Sequence, residues 1–347
     1  MTKELPPTLK RRRAPRRGAI TLREVACAAG VSTASASRAL ARPDVVSDGV
    51  RGEVTRAAAQ LGYVPNMAAR ALSAQRSGVI GLIAGSLEDV VARRATVALS
   101  RRLEEAGFAV YLTTGSGDAE STARLAQRVA ARGADALALV GVDLPEDPGA
   151  LLQGRTLLPM ACLDQPTPGG KFAAFARAQA LELAVRFLRE LGHRRICLVE
   201  PGRACPVDEI RDALSEADMA LVGLANDAGQ GPRHPTSERL EQWLDLPYPP
   251  SALVCGSDAA AAAALRECGT HGIAVPQRLS IIGFGDSELA RHTRPTLSTL
   301  RLPAEEAGIA AADFLLATLR GEAFAAPKLR TKVVARESTG PAADSAD

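Results

Sequence analysis

The sequence predicts a small all-α headpiece joined to an α/β body of two doubly wound lobes, and three observations carry that prediction. Charge is divided unevenly: residues 1 to 76 hold 14 Lys or Arg against 5 Asp or Glu, and the rest of the chain holds 28 against 34. From Thr21 to Tyr63, apolar residues recur at helical spacing in short, closely punctuated stretches. From Val79 onward, strand-like apolar runs alternate with amphipathic helical stretches, as in a parallel sheet covered by helices. At 347 residues the chain exceeds one compact core and suits two or three units of roughly 100 to 150 residues.

Residues 1–19 contain the run KRRRAPRR, Lys10 to Arg17, and read as a loose basic tail. Thr21 followed by Glu24 makes a capping box, after which Leu22, Val25, Ala26 and Ala29 share one helical face. Gly30 ends that helix, Val31 and Ser32 make the turn, and Ser32 is a ready N-cap. Thr33 to Leu40 then forms a second short helix with Ala36, Ala39 and Leu40 inward and Thr33, Ala34, Ser37 and Arg38 outward. Ser47 caps a third helix whose Val50, Val54, Ala57, Ala58 and Leu61 close a miniature core, although Gly49 and Gly52 each cost it roughly 1 kcal/mol relative to alanine. The segment 20–65 is thus a helix-turn-helix with a supporting helix.

A helix presented by its N-terminal turn fits the major groove of DNA, where its outward side chains meet base edges. Arg38 can fork onto O6 and N7 of a guanine, Thr33 can donate to or accept from several bases, and Ala34 can touch only a thymine methyl. The hydroxyls of Thr21, Ser32, Ser37 and Ser47 suit phosphate contacts near helix N-termini. For Ser32 and Ser47 a plain capping role explains the residue equally well without DNA.

Residues 66–77 form a linker in which Met67 to Ser73 could be helical, but a segment so far below about 12 to 15 residues is not stable alone. The body begins near Gly78. Its strand candidates are Val79 to Ala84, Ala109 to Thr114, Ala136 to Val140, Met160 to Asp164, Ile196 to Val199, Ala220 to Leu224, Ala252 to Cys255 and Ser280 to Phe284. Helical stretches at Ala92 to Ala106, Ser121 to Ala131, Ala178 to Leu191 and Asp258 to Cys268 separate several of them. Ligands of such sheets sit beyond the carboxyl ends of the strands, and two facing lobes leave a cleft there. Ser86 and Asp89, just past the first strand, are candidates for its mouth. The small residues of 339–347 read as a second loose tail.

Several function classes are excluded. The basic run has no hydrophobic flank of the kind a membrane-surface segment needs, and it precedes no apolar signal region. No stretch approaches bilayer-spanning length, so the expectation is a cytoplasmic protein without membrane association. Six scattered cysteines lack any C-x-x-C pair or histidine at ligand spacing, which predicts free thiols and neither a metal nor a disulfide framework. His193 and His292 suggest no catalytic pairing, and His193, standing before a strand, reads as capped or surface-lying. Gly285-Asp286-Ser287 matches one block of a hydrolase motif without its partner block, and no G-x-S-x-G or phosphate-cradling loop occurs. Neither an enzyme nor a cofactor is expected.

Many anchors at fixed spacing resemble the lactose repressor family: TLREVA, AGVS, SRAL, VSDGVR, LGYVPNMAARAL and SGVIGLI between Thr21 and Ile83. The likeness continues through LGHRRI (191 to 196), SDAAAAAAL (257 to 265), VPQRLSIIGFGD (275 to 286), RPTLSTLR (294 to 301) and VAREST (334 to 339). It implies that two copies pair as a homodimer on a palindromic double-stranded DNA operator, with hinges that fold on DNA and enter the minor groove. Leu72 takes the place of a leucine that wedges into a base step, and Asn66 and Ala69 match the other hinge positions near the groove or backbone. The body is then similar to periplasmic sugar-binding proteins, with chain crossings near Ala176, Leu302 and Lys328. One subdomain takes 78–176 and 303–328, the other 177–302 and 329–338.

The resemblance also implies a small-molecule effector in the cleft. Asp258 stands at an acidic position that often holds ligand hydroxyls, and Asp286 lies in the next strand-end motif. Gly285 replaces the usual acidic residue, Pro206 falls where an arginine often grips the ligand, and Ala176 replaces a common aspartate. These departures speak against a standard neutral sugar, while the IGFGD run resembles relatives that answer to sugar acids such as gluconate. Helix capping or plain surface charge is the competing role for each cleft residue. The competing function is an architectural or constitutive DNA-binding protein with a degenerate effector site.

Overall fold

The first helix begins where a reciprocal cap satisfies its free amides. In the computed structural model of the chain, which describes residues 20–41, 45–64, 76–145, 151, 158–164, 173–199, 211, 214–215, 218–225 and 237–343, Glu24 N–H donates to Thr21 Oγ1 and Thr21 N–H donates to Glu24 Oε2 at 2.6 Å. Helix α1 (Leu22–Ala28) ends before Gly30, whose φ of +65° turns the chain. Helices α2 (Thr33–Ala41) and α3 (Asp48–Leu61) follow. Val25, Ala26, Ala36, Ala39, Val54, Ala57 and Ala58 form their shared core.

Leu61 was expected in that core and is exposed. The physical reason is the helix end: Gly62 adopts the left-handed conformation, Tyr63 N–H bonds back to the Ala58 carbonyl, and the Tyr63 ring packs against the core instead. Gly49 and Gly52 face open space, so their cost is conformational and not compensated by packing.

The chain divides into two units between Ser77 and Gly78. In the second, strands β1 (Val79–Ala84), β2 (Ala109–Thr114), β3 (Ala136–Val140), β4 (Met160–Asp164) and β5 (Ala173–Ala176) make a parallel sheet in the order β2-β1-β3-β4-β5. Helices α4 (Val90–Glu105) and α5 (Ala119–Ala131) cover it, which is why β1 and β3 read as unbroken apolar runs. After α6 (Arg177–Glu190), the strands β6 (Arg195–Val199), β7 (Ala220–Ala225), β8 (Ala252–Cys255), β9 (Ser280–Phe284) and β10 (Ser298–Arg301) enter a second sheet, joined by β11 (Lys332–Val334). Its order is β11-β10-β9-β8-β6-β7, parallel except for β11.

Helices α7 (Ser237–Leu244), α8 (Asp258–Thr270) and α9 (Leu289–His292) belong to this second lobe. Helix α10 (Ala304–Arg320) returns to the first lobe and packs on α4 so closely that a Cβ at Gly308 would collide with the Ala95 carbonyl oxygen. The chain therefore passes between the sheets after β5, again after β10, and once more before β11.

Residues 339–343, expected to be loose, are tied down. Ser338 is fully buried, Gly340 N–H donates to Ser280 Oγ, and Ala342 N–H donates to the Leu191 carbonyl at 2.8 Å. His193 is also not at the surface: it is 1 % exposed, with Nε2 3.1 Å from the Gly340 carbonyl and Nδ1 2.9 Å from Ser251 Oγ. A carbonyl only accepts, so Nε2 carries the proton and Nδ1 accepts from the serine.

Burial holds the His193 pKa below the ordinary histidine range, against the opposing pull of the Gly340 hydrogen bond. The sign follows: the unfolded chain binds this proton first, so the contribution of neutral His193 to stability is present above about pH 6.5 and is lost as pH falls toward the lower folded value. Urea midpoints at about pH 7.5 and about pH 5.5 should differ more for the native protein than for His193→Gln. Equal pH dependence in the two proteins would remove His193 from this role.

Candidate nucleic-acid interface and ligand cleft

In the first unit the turn between α1 and α2 fixes which side of α2 faces outward. Val31 N–H bonds to the Ala26 carbonyl, and Ser32 Oγ caps α2 by accepting from Ser35 N–H at 3.0 Å. Ala36 and Ala39 are buried against α1 and α3, and Ser32, Thr33, Ala34, Ser37 and Arg38 are all exposed. The five expected DNA contacts on and beside α2 therefore share one solvent-facing surface. Arg38 Nε donates to the Ala34 carbonyl at a long 3.3 Å, which orients the guanidinium along the helix while leaving its terminal amino groups outward.

Thr21 and Ser47 sit at the N-terminal ends of α1 and α3, both exposed. They differ in one respect. Thr21 is engaged in its capping box, which also holds the Glu24 carboxyl below its ordinary range, whereas the Ser47 hydroxyl makes no capping bond. Asn66, Ala69 and Leu72 lie outside the described residues, as do Pro206 and Cys205.

In the second unit the four expected cleft residues fall into two pairs. On the first lobe, Ser86 Oγ accepts from Glu88 N–H, and Asp89 caps α4 by accepting from Val91 N–H at 2.8 Å and Ala92 N–H at 3.0 Å. On the second lobe, Asp258 and Asp286 converge on Thr299. Asp258 Oδ1 accepts from Thr299 Oγ1 at 2.5 Å and Oδ2 from Ser287 N–H at 2.6 Å, while Asp286 N–H donates to Thr299 Oγ1. Asp286 Oδ1 accepts from Arg336 at 2.5 Å, and its Oδ2 lies 3.9 Å from Arg301.

Asp258 and Asp286 are 2 % and 4 % exposed, and their carboxylates accept from protein groups that hold the loop after β9 in place. Gly285 has a structural reason. Its φ is +121°, and a Cβ there would lie 2.5 Å from Val90 Cγ1 of α4, so the first-lobe valine occupies the space of the missing side chain. Arg94 of α4 completes this contact between the lobes, donating to the carbonyls of Gly285 at 3.0 Å and Asp286 at 3.1 Å.

Val90, Arg94, Thr299 and Arg336 were not anticipated. Their partners lie up to 192 residues away, and no local spacing encodes such pairs. Among the described residues no group of His, Cys, Asp or Glu is arranged to hold a metal ion, and no helix is long and apolar enough to cross a membrane. Cys197 and Cys268 are buried, and burial pushes their thiols up to about 12. Cys27 is exposed on α1.

Comparison with known proteins bears on both units. Residues 21–66 match the model of bacterial regulatory proteins of the lacI family, and residues 185–339 match the periplasmic binding protein-like domain. The chain is 29 % identical over 311 residues to the HTH-type transcriptional repressor CytR of Escherichia coli strain K12, spanning 88 % of this chain and 91 % of the relative. It is 28 % identical over 305 residues to the repressor PurR of Escherichia coli O139:H28, spanning 85 % and 89 %. Both relatives are transcriptional repressors of the HTH type.

Among solved structures, the lac repressor dimer bound to operator and the anti-inducer ONPF shares the fold, with a TM-score of 0.77 at 23 % identity over 93 % of this chain and 99 % of that one. The complex of the regulator CelR with cellobiose gives 0.62 at 27 % identity over 92 % and 99 %. The chain thus carries a lacI-family helix-turn-helix headpiece, whose second helix faces outward, and a two-lobed periplasmic binding protein-like body.

Proposed function

We propose that the chain is a dimeric, sequence-specific transcriptional repressor that acts in the cytoplasm on palindromic operator DNA, one headpiece per half-site, and responds to a small sugar or sugar acid, gluconate-like, in the cleft between the lobes. The observation that carries the DNA reading is the shared outward face of Thr33, Ala34, Ser37 and Arg38 on a helix whose opposite side is buried. That face lies in the segment holding 14 cationic against 5 acidic side chains, which supplies the phosphate attraction. Thr21, Ser32 and Ser47 serve as phosphate contacts at helix starts. Leu72, with Asn66 and Ala69, is assigned to the minor groove on the family resemblance alone. The protein acts by binding and not by turnover.

At the cleft, Ser86 and the α4 start around Asp89 are the ligand-facing groups, and Asp258 and Asp286 hold the opposite loop in place. A second reading is favoured by one observation: Val90 fills the space at Gly285 and Arg94 clasps the same loop, so the lobes are held together from within. A protein closed in that way without effector would be a constitutive binder. Calorimetric titration with sugars and sugar acids separates the two. A ligand that binds and shifts operator affinity eliminates the constitutive reading.

Fluorescence anisotropy on palindromic duplexes, at fixed salt with a scrambled competitor, tests the main reading. Preference by a factor of roughly 10³ or more is expected for a specific regulator. Arg38→Ala should cost about 1 to 3 kcal/mol on the preferred duplex and relax base choice at one position. Equal losses on specific and scrambled DNA would contradict base reading by Arg38.

A further inference from the structure

Where the chain re-enters the first lobe at the start of α10 and later leaves it toward β11, the two crossing segments border a half-open pocket of about 270 Å³. Its charged lining consists of Arg94, Arg301, Arg330 and Lys332, opposed by Glu305 and Glu306. None of Ser86, Asp89, Asp258 or Asp286 lines it. Four cations against two carboxylates leave a net positive charge on a concave, solvent-open surface, which attracts a small anion. Three of the four are arginines, whose planar forks match carboxylate and phosphate oxygens in pairs. The size falls just below the roughly 300 Å³ at which pockets for larger organic ligands begin, which favours a compact guest.

Two of these cations already have structural duties. Arg94 holds the Gly285 and Asp286 carbonyls across the lobes, and Arg301 stands 3.9 Å from the Asp286 carboxylate. An anion in the pocket competes with those partners for the same guanidinium groups. We propose that this pocket is a second ligand site, for a small metabolite carrying at least two negative charges on phosphate or carboxylate groups, and that its occupancy loosens the clasp of Arg94 on the loop after β9. The site is thereby coupled to the angle between the lobes through Arg94, for which the anion and the Gly285 and Asp286 carbonyls compete. The inference does not depend on which ligand, if any, enters the main cleft.

The test uses the full chain and two probes, inorganic phosphate and citrate, titrated calorimetrically at constant ionic strength held with chloride. Saturable binding of one anion per chain is expected, weakened about tenfold in Arg330→Ala/Lys332→Ala, whose side chains are exposed and take no part in the clasp. Binding of phosphate alone identifies a phosphorylated ligand, and binding of citrate alone a polycarboxylate. Ser86→Ala should leave either one unchanged. The anion that binds should also shift the affinity for operator DNA in the native protein and not in the double variant. Arg330→Gln/Lys332→Gln, closer in size, serves as the check if the alanine pair fails to fold.

Non-saturable heats that are the same in native and double-variant protein mean an adventitious ion only and overturn the site. Loss of anion binding in Ser86→Ala would place the anion in the main cleft and overturn it as well. Saturable binding without any change at the operator would overturn the coupling.

Discussion

Arg336→Met is expected to lower the free energy of unfolding by about 3 to 5 kcal/mol, the range for removing one partner of a buried ion pair. Asp286 sits 4 % exposed at a φ of +44°, in the loop after β9, and Arg336 reaches it from the segment after β11. The same guanidinium donates to the Leu297 carbonyl at 2.7 Å, so methionine would leave both a carboxylate and a carbonyl without their donor. Arg301 also approaches the Asp286 carboxylate, but it is 3.9 Å away and 62 % exposed, too weakly placed to substitute. Urea unfolding should show a lower midpoint with an unchanged slope. Adding Asp286→Asn should recover much of the loss, because the buried charge and not the lost packing dominates. A shift below about 1 kcal/mol in the single variant would show that Arg301 or solvent already carries Asp286.

Gly285→Asp, which restores the acidic residue usual at this position in the resembling family, is expected to destabilise the body by about 2 to 5 kcal/mol. Two causes add. A backbone at φ +121° strains any L side chain, and the new Cβ meets Val90 Cγ1 at 2.5 Å. The incoming carboxylate would also face Asp258, whose Oδ2 lies 3.9 Å from the Cβ position. Val90→Ala in the same protein should return the steric share and leave the backbone share. If Val90→Ala rescues nothing, the valine is not what excludes a side chain at 285. Native-like stability of Gly285→Asp alone would refute the whole account.

What the sequence disclosed tracks how local the determining interactions are. The inward and outward faces of α2 follow from residues three and four apart, so Ala36, Ala39, Thr33, Ser37 and Arg38 could be placed without a structure. Leu61 fits the same periodicity and was misplaced because the left-handed turn at Gly62 brings Tyr63 back onto the core. The long buried strands were legible. Strands β5, β10 and β11 were not, being three or four residues each with no alternation to read. Helix α10 has apolar or small residues on nearly all sides and so lacks the one-sided stripe of a surface helix. At the cleft, Asp258 and Asp286 could be picked out as unusual, but their partners Thr299 and Arg336 are 41 and 50 residues away, and only the fold shows that those carboxylates are already engaged.

The threading of the chain between the sheets also sets an order of maturation during synthesis. The headpiece draws on residues 20 to 63 alone, so it can fold as soon as that stretch leaves the ribosome. Neither lobe of the body has that freedom. The first lacks α10 until Arg320 has been made, and the second lacks β11 and the buried Ser338 until later still. At roughly 5 to 20 residues per second, the delay between the two stages is on the order of tens of seconds. During that interval a finished DNA-reading module trails an unfinished body whose apolar strands remain open to chaperones.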